Sequence, residues 1–160
     1  MDIRPYADTD HDPVVRLAIE VFGPFFEDSL RSVVGQEIFE NQHHDWREDY
    51  HRELARIHDP EKQKYAVVAE DHDGLAGFTA WTVDPDRRSG EVQYVAVRAA
   101  HRRSHLATEL CEHAFASMRA AGVDVVTIGT GGDWFHAPAR QLYDSLGMTP
   151  FPNVIYYKAL

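Results

Sequence analysis

Cysteine is nearly missing from this chain: Cys111 is the one thiol among 160 residues. That excludes an intrachain disulfide and leaves no thiolate cluster for zinc. Long apolar runs are also missing, and none approaches the roughly 20 residues of a membrane-spanning helix. The opening residues, Met1 to Pro5, lack the basic-then-apolar layout of a secretory leader. The chain has no internal repeat and no low-complexity tract. A reducing, cytoplasmic setting without membrane association is the expectation. Basic residues are few: 16 Lys and Arg stand against 26 Asp and Glu, a net charge of −10. Such a balance argues against non-specific nucleic-acid binding, which rests on neutralising phosphates. It fits a well-solvated acidic surface first and a cationic substrate second.

What is present is enough for one full core. A hydrophobic share of 44% is ordinary for a soluble domain, so residues 1–160 are expected to form a single one. Residues 2–6 read as a short strand. Asp10 or Asp12 is placed to cap a helix, with Pro13 in its first turn and Val14, Leu17, Ala18, Val21 and Phe22 on one face. Gly23-Pro24 is expected to end it. Residues 25–58 read as helix in two pieces around Gly35, with Trp46, Tyr50, Leu54 and Ile57 at helical spacing. Strands are expected at 65–70, Leu75–Val83 and Glu91–Arg98, joined by polar turns. A helix follows over 105–121, with Leu106, Leu110, Cys111, Ala114, Phe115 and Met118 in one stripe and Gly122 at its end. Val123–Ile128 is continuous and apolar, as a buried central strand would be. A helix over 137–146 and a closing strand or strands within Met148–Tyr157 complete the order. The reading is a mixed α/β fold of α+β character, with a mostly antiparallel central sheet flanked by helices and one crossover helix.

One run carries the chemistry. The alternating strand Glu91-Val92-Gln93-Tyr94-Val95-Ala96-Val97 stops at a basic turn, Arg98 to Ser104, and a helix begins at once. Exposed N–H groups at a helix start, beside arginines, make a phosphate site. A phosphorylated cofactor is the expected ligand. The run resembles the acetyl-CoA signature of the GNAT superfamily of N-acetyltransferases, a strand followed by Arg-x-x-Gly-x-Gly/Ala and a helix. Here it reads Arg102-x-x-His105-x-Ala107, with histidine where the family has glycine. Residues 136–147 resemble the family's later helix, Asn-x-x-Ala-x-x-Leu-Tyr-x-x-x-Gly, with His136 in the Asn position. The two motifs stand in the family's order and separation.

The resemblance implies a GNAT-like fold, acetyl-CoA as co-substrate, and transfer of the acetyl group to a primary amine by direct attack, without an acyl-enzyme. It implies that Val95, Ala96 and Val97 hold the pantetheine arm through their backbone, with the Val95 N–H polarising the thioester carbonyl. It places Arg102, Arg103, Ser104, His105, Leu106, Ala107 and Thr108 around the pyrophosphate. Tyr143 becomes the candidate acid for the departing thiolate, against the alternative of a packing tyrosine. Glu91 becomes the candidate base, against that of an exposed strand-end carboxylate. His136 is a rival base or cofactor contact, and Asp133 a further lining residue.

Alternatives remain beside this reading. The same fold holding acyl-CoA without transferring it would be a sensor or scaffold. His44, Glu48 and His51, with His43 nearby, would share a helix face and could bind a metal. Gly129-Thr-Gly-Gly-Asp133 lacks the lysine and spacing of a P-loop. The acceptor, a small-molecule or peptide amine, should meet residues 24–50 and the loops near 84–90 and 129–136. The C-terminal strand is a candidate homodimer surface.

Overall fold

The polar turns expected between residues 71 and 90 form, and they organise the sheet. In the computed structural model, which describes residues 1–160, β2 (Lys64–Asp71), β3 (Gly74–Asp84) and β4 (Ser89–Val97) make an antiparallel meander. β1 (Asp2–Pro5) joins the outer edge of β2, also antiparallel. After β4 the chain crosses over through α5 (Leu106–Ala120) and returns as β5 (Val125–Ile128), parallel to β4. The strand order is therefore the chain order, and β5 is an edge.

Alternation along the strands gives the sheet two apolar faces. Ala66, Val68, Phe78 and Ala80 face α1 (His11–Pro24) and α4 (Trp46–Leu54), where Val14, Leu17, Ala18, Val21 and Leu54 close the first core. Val67, Ala69, Trp81, Val83 and Val92 face the apolar stripe of α5, which forms the second core with Cys111 fully buried. Gly77 lets α5 lie close to the sheet. A Cβ there would sit 2.8 Å from the Ala96 carbonyl oxygen and 3.1 Å from Leu110. Burial pushes the Cys111 thiol up to about 12, so it remains a protonated core group.

A buried charge fixes β1 to the helical layer. The Arg4 guanidinium grips Asp10 with two bonds of 2.7 and 2.9 Å and Glu70 with two of 3.0 and 2.8 Å. Asp10 also accepts the Ala7 N–H at 2.8 Å instead of capping α1.

Several expectations are corrected. Gly23-Pro24 does not end the first helix. Pro24 removes one N–H from the ladder, and the chain answers by widening into a π-helical stretch, Phe25–Leu30, that runs on into α2 (Arg31–Val34). Gly23 serves packing, since a Cβ there would lie 3.1 Å from the Trp46 ring. Gly35, at φ 84°, is the true break before α3 (Gln36–His43). Trp46 is buried against Phe26, its ring stacked at 4.8 Å, and donates its N–H to Glu27 at 3.0 Å. The metal reading fails because His44 lies in the turn between α3 and α4. Its Nδ1 donates to the Glu40 carbonyl at 2.8 Å, while Glu48 and His51 belong to α4. Val123–Ile128 is not a buried central strand: β5 spans four residues, and Val125 is 60% exposed. After α6 (Ala137–Ser145) no closing strand forms over Met148–Tyr157, and residues 151–160 are exposed. No helix is long and apolar enough to cross a membrane.

The Arg4 bonds hold the Asp10 carboxyl below its ordinary range, against the burial that would raise it. A depressed carboxylate stabilises the fold above its unfolded value of about 3.9, and that stability is lost as pH falls through the folded value. Asp10→Asn should therefore cost about 1.5–3 kcal/mol at neutral pH. The difference from wild type should close progressively below about pH 4. Urea titrations across pH measure this, and a constant difference would refute the ion-pair account.

Candidate active site

β4 loses its second neighbour half-way along. It pairs with β5 from Ser89↔Val125 to Val92↔Ile128, and there the two strands part. At the same point β4 bulges: Ala80 faces Tyr94 and Trp81 faces Val92, so Gln93 has no opposite residue. The Arg98 N–H donates to the Ala76 carbonyl at 2.8 Å, on the β3 side. By alternation Ala96 also faces β3, while Val95 and Val97 turn their N–H and C=O groups toward the gap left by β5. The gap is thus edged by backbone groups without a sheet partner.

The far end of β4 leads into the phosphate-type turn. Glu109 donates the first intrahelical bond of α5, to the His105 carbonyl at 3.0 Å. The amides of Leu106, Ala107 and Thr108 precede it and have no helical acceptor. Arg103 and His105 both adopt left-handed backbone, at φ 63° and 64°. His105 therefore keeps the conformation glycine would favour, and histidine is among the side chains that tolerate it best. The Ser104 hydroxyl braces the turn through the His101 carbonyl at 2.5 Å. Arg98 and His101 are engaged by Glu20 at 3.7 Å and Asp71 at 3.2 Å. Arg102 and Arg103 are exposed and pair with no carboxylate.

On the other side of the bulge a cleft of about 760 Å³ opens between β4 and α4. Glu91, Gln93 and Tyr94 line it from β4, Gly129 from the end of β5, and Glu53 with Arg52 and Arg56 from α4 and its end. The Tyr94 hydroxyl donates to Glu53 at 2.7 Å, and burial and that carboxylate push its pKa up. Arg52 pairs with Asp49, whereas Arg56 and Lys64 face the cleft without a carboxylate partner. Glu91 thus lies in the cleft; Tyr143 and His136 do not line it.

Those two sit on and before α6. Tyr143 is half-buried against the α5 core near Cys111, and burial pushes its pKa well up, so its hydroxyl stays protonated at neutral pH. His136 donates through Nδ1 to Asp133 at 2.5 Å, and Asp133 also accepts the hydroxyl of buried Ser29 at 3.0 Å. Burial alone would raise the Asp133 carboxyl, but the His136 and Ser29 bonds outweigh it and hold it low. Arg140 clamps this loop by donating to the Gly131 and Asp133 carbonyls at 2.6 and 2.7 Å. Gly131 has to be glycine, since a Cβ would lie 2.2 Å from Asp133 Oδ1. Sequence reasoning missed Ser29, Glu53, Tyr94 and Arg140. No local pattern marks the first two, because their partners lie 104 and 41 residues away.

A family model described as the acetyltransferase (GNAT) family matches residues 33–148. The chain belongs to that family. The mycothiol acetyltransferase of Beutenbergia cavernae is 33% identical over 84 residues, covering 52% of this chain and 28% of that protein. The match thus spans well under half of that relative's length. Among solved structures, the BH1408 protein of Bacillus halodurans superposes with a TM-score of 0.74 at 17% identity, with both chains fully covered. The aminoglycoside N-acetyltransferase AAC(6')-Iy, solved with CoA, gives a TM-score of 0.69 at 13% identity over 99% of this chain and 93% of that one. The apo AAC(6')-IG of Acinetobacter haemolyticus gives 0.65 at 17% identity over 100% and 99%. At these identities the likeness is one of fold.

This GNAT chain differs from the family's glycine pattern at His105, and the turn tests the cost. A left-handed non-glycine residue costs about 1–2 kcal/mol. His105→Gly should raise stability by about 0.5–1 kcal/mol, the relief being offset by the looser unfolded chain. His105→Val should lower it, because a β-branched residue resists positive φ. Denaturant unfolding of the three proteins checks the order Gly, His, Val, and equal stability of His and Val would refute the turn's conformation.

Proposed function

We propose that this GNAT protein transfers an acetyl group from acetyl-CoA to a primary amine, by direct attack while both substrates are bound. The observation that carries the proposal is the continuous path from the β4–β5 gap to the start of α5. Outward-turned Val95 and Val97 amides lead to the free amides of Leu106, Ala107 and Thr108, flanked by the unpaired Arg102 and Arg103. These residue types fit the group at each point. An extended amide-bearing arm suits a strand edge, and a pyrophosphate suits a helix start with arginines. Ser104 and His105 complete the turn, and the Ala96 side chain remains in the core. The co-substrate supplies an activated thioester. The GNAT family uses acetyl-CoA, and CoA is bound in the solved AAC(6')-Iy structure.

The chain's own groups handle the protons. An amine near pKa ~10 arrives as an ammonium and must lose its proton before attack. Glu91, in the cleft beside Glu53, attracts that ammonium and takes the proton directly or through water. The Val95 N–H faces the gap, where developing negative charge on the carbonyl oxygen is stabilised by a fixed donor. Tyr143, kept protonated by burial, gives its proton to the departing thiolate. His136, tied to Asp133, shapes the loop after β5 and is a positioning residue in this scheme.

The cleft also limits the acceptor. Glu53 and Glu91 suit an ammonium, while unpartnered Arg56 and Lys64 suit an anionic group on the same molecule. An amine that also carries a carboxylate or phosphate fits better than a polycation.

Calorimetry with acetyl-CoA tests the cofactor path first. Binding in the micromolar range should weaken at least tenfold, about 1.4 kcal/mol, in Arg102→Ala/Arg103→Ala. No binding to the wild type would overturn the proposal. In a thiol-release assay Tyr143→Phe should lose about 10²-fold or more in kcat with acetyl-CoA affinity retained. Binding without turnover on any amine would identify an acyl-CoA sensor instead, a reading favoured by the His105 ring in the phosphate turn. Across an amine panel, zwitterionic acceptors should outpace polyamines, and Arg56→Ala should erase that preference by raising KM for the zwitterions alone. A preference for polyamines would refute the acceptor class.

A further inference from the structure

The end of the chain violates the rule that organises the rest of it. Beyond Met148, whose N–H donates to the Tyr143 carbonyl at 3.1 Å, the backbone makes no hydrogen bond to any other backbone group. Phe151 and Tyr156 are each 92% exposed, and Val154 and Ile155 are 74% and 72% exposed. Apolar residues fall on both faces of an extended segment, so this is the pattern of a strand covered on both sides rather than of a solvated tail. Singly exposed apolar residues need no explanation, but a continuous apolar arm does.

The sheet is unfinished at the matching place. β5 is the last strand in the order, so its outer edge carries unpaired N–H and C=O groups. Val125 is 60% exposed, and α6, which packs over this end of the sheet, has no fully buried residue. A missing strand and an unplaced strand thus occur in one molecule. The chain's own geometry separates them. Gly147, at φ 76°, stops α6, and Pro150 and Pro152 then hold the segment extended and bias their preceding residues the same way. A stiff hinge of this kind resists the reversal that would bring the arm back onto its own β5.

We propose that two copies of this chain exchange their C-terminal arms, residues 149–160 of each pairing along the open edge of the other's β5. The exchange is isologous and closes as a two-fold dimer, with no edge left for further addition. Each arm brings three aromatic residues, which bury about 150–250 Å² apiece when covered. Given reciprocally by two arms, that reaches the roughly 1,200–2,000 Å² of a stable interface. The partner's arm also covers the end of the sheet beside α6, the helix that carries Tyr143.

Sedimentation and a cross-link test the exchange independently of any activity. The wild type should sediment at twice the 18.2 kDa chain mass at micromolar concentration. Ile155→Asp/Tyr156→Asp should halve the mass while retaining the wild-type helical circular dichroism. Where those charges unfold the protein, the milder pair Thr127→Cys and Ile155→Cys decides the matter through a short bismaleimide. Coupling between chains gives a band of dimer mass and supports exchange. Coupling within one chain means that the arm packs on its own sheet, and overturns the proposal. A monomeric wild type overturns it too, as does a dimer that survives the Asp substitutions in folded protein.

Discussion

A strand that loses a neighbour half-way along its length must leave its backbone groups to another partner, because buried amides and carbonyls are almost never left unpaired. Here β4 meets that constraint at Val92, where β5 departs and Gln93 bulges. The rest of the site follows from the parting. It opens a gap edged by Val95 and Val97, directs the chain into the turn before α5, and leaves room for the cleft between β4 and α4. Gly77 is part of the same arrangement, since only a residue without a side chain lets α5 close over the sheet beside Ala96.

Electrostatics divides the molecule along this line. The chain as a whole is acidic, yet the cations at its turn and cleft stand free: Arg102 and Arg103 at one, Arg56 and Lys64 at the other. Elsewhere arginines are consumed in structure. Arg4 fastens β1, Arg31 pairs with Glu27, and Arg140 clamps the loop after β5. Unspent positive charge in an acidic protein marks where an anion is awaited more sharply than any excess of basic residues would.

Local signals in the sequence carried most of the fold and the phosphate turn. Strand alternation, the two polar hairpin turns and the stripe of α5 depend on neighbours within a few residues, and all of them form. What was illegible depended on distance or on context. Pro24 reads as a helix end, yet packing of Phe26 on Trp46 repays the lost bond and the helix runs on. Val125–Ile128 reads as central because its residues are apolar, but the sheet has nothing beyond it. The Ser29–Asp133–His136 chain joins segments that no spacing rule connects. The C-terminal segment has a strand's composition without a strand's partner, and composition says nothing about which chain the partner belongs to.

Cys111 lies wholly within the second core, with its thiol pushed up to about 12. The folded protein therefore offers no nucleophilic sulfur to an electrophile in solution. Modification of this single site requires the helix to leave the sheet, so the rate at which a thiol reagent labels the protein becomes a clock for opening of the α5 core. The same silence means that any free thiol appearing in a reaction mixture while the fold is intact comes from the co-substrate and not from the protein.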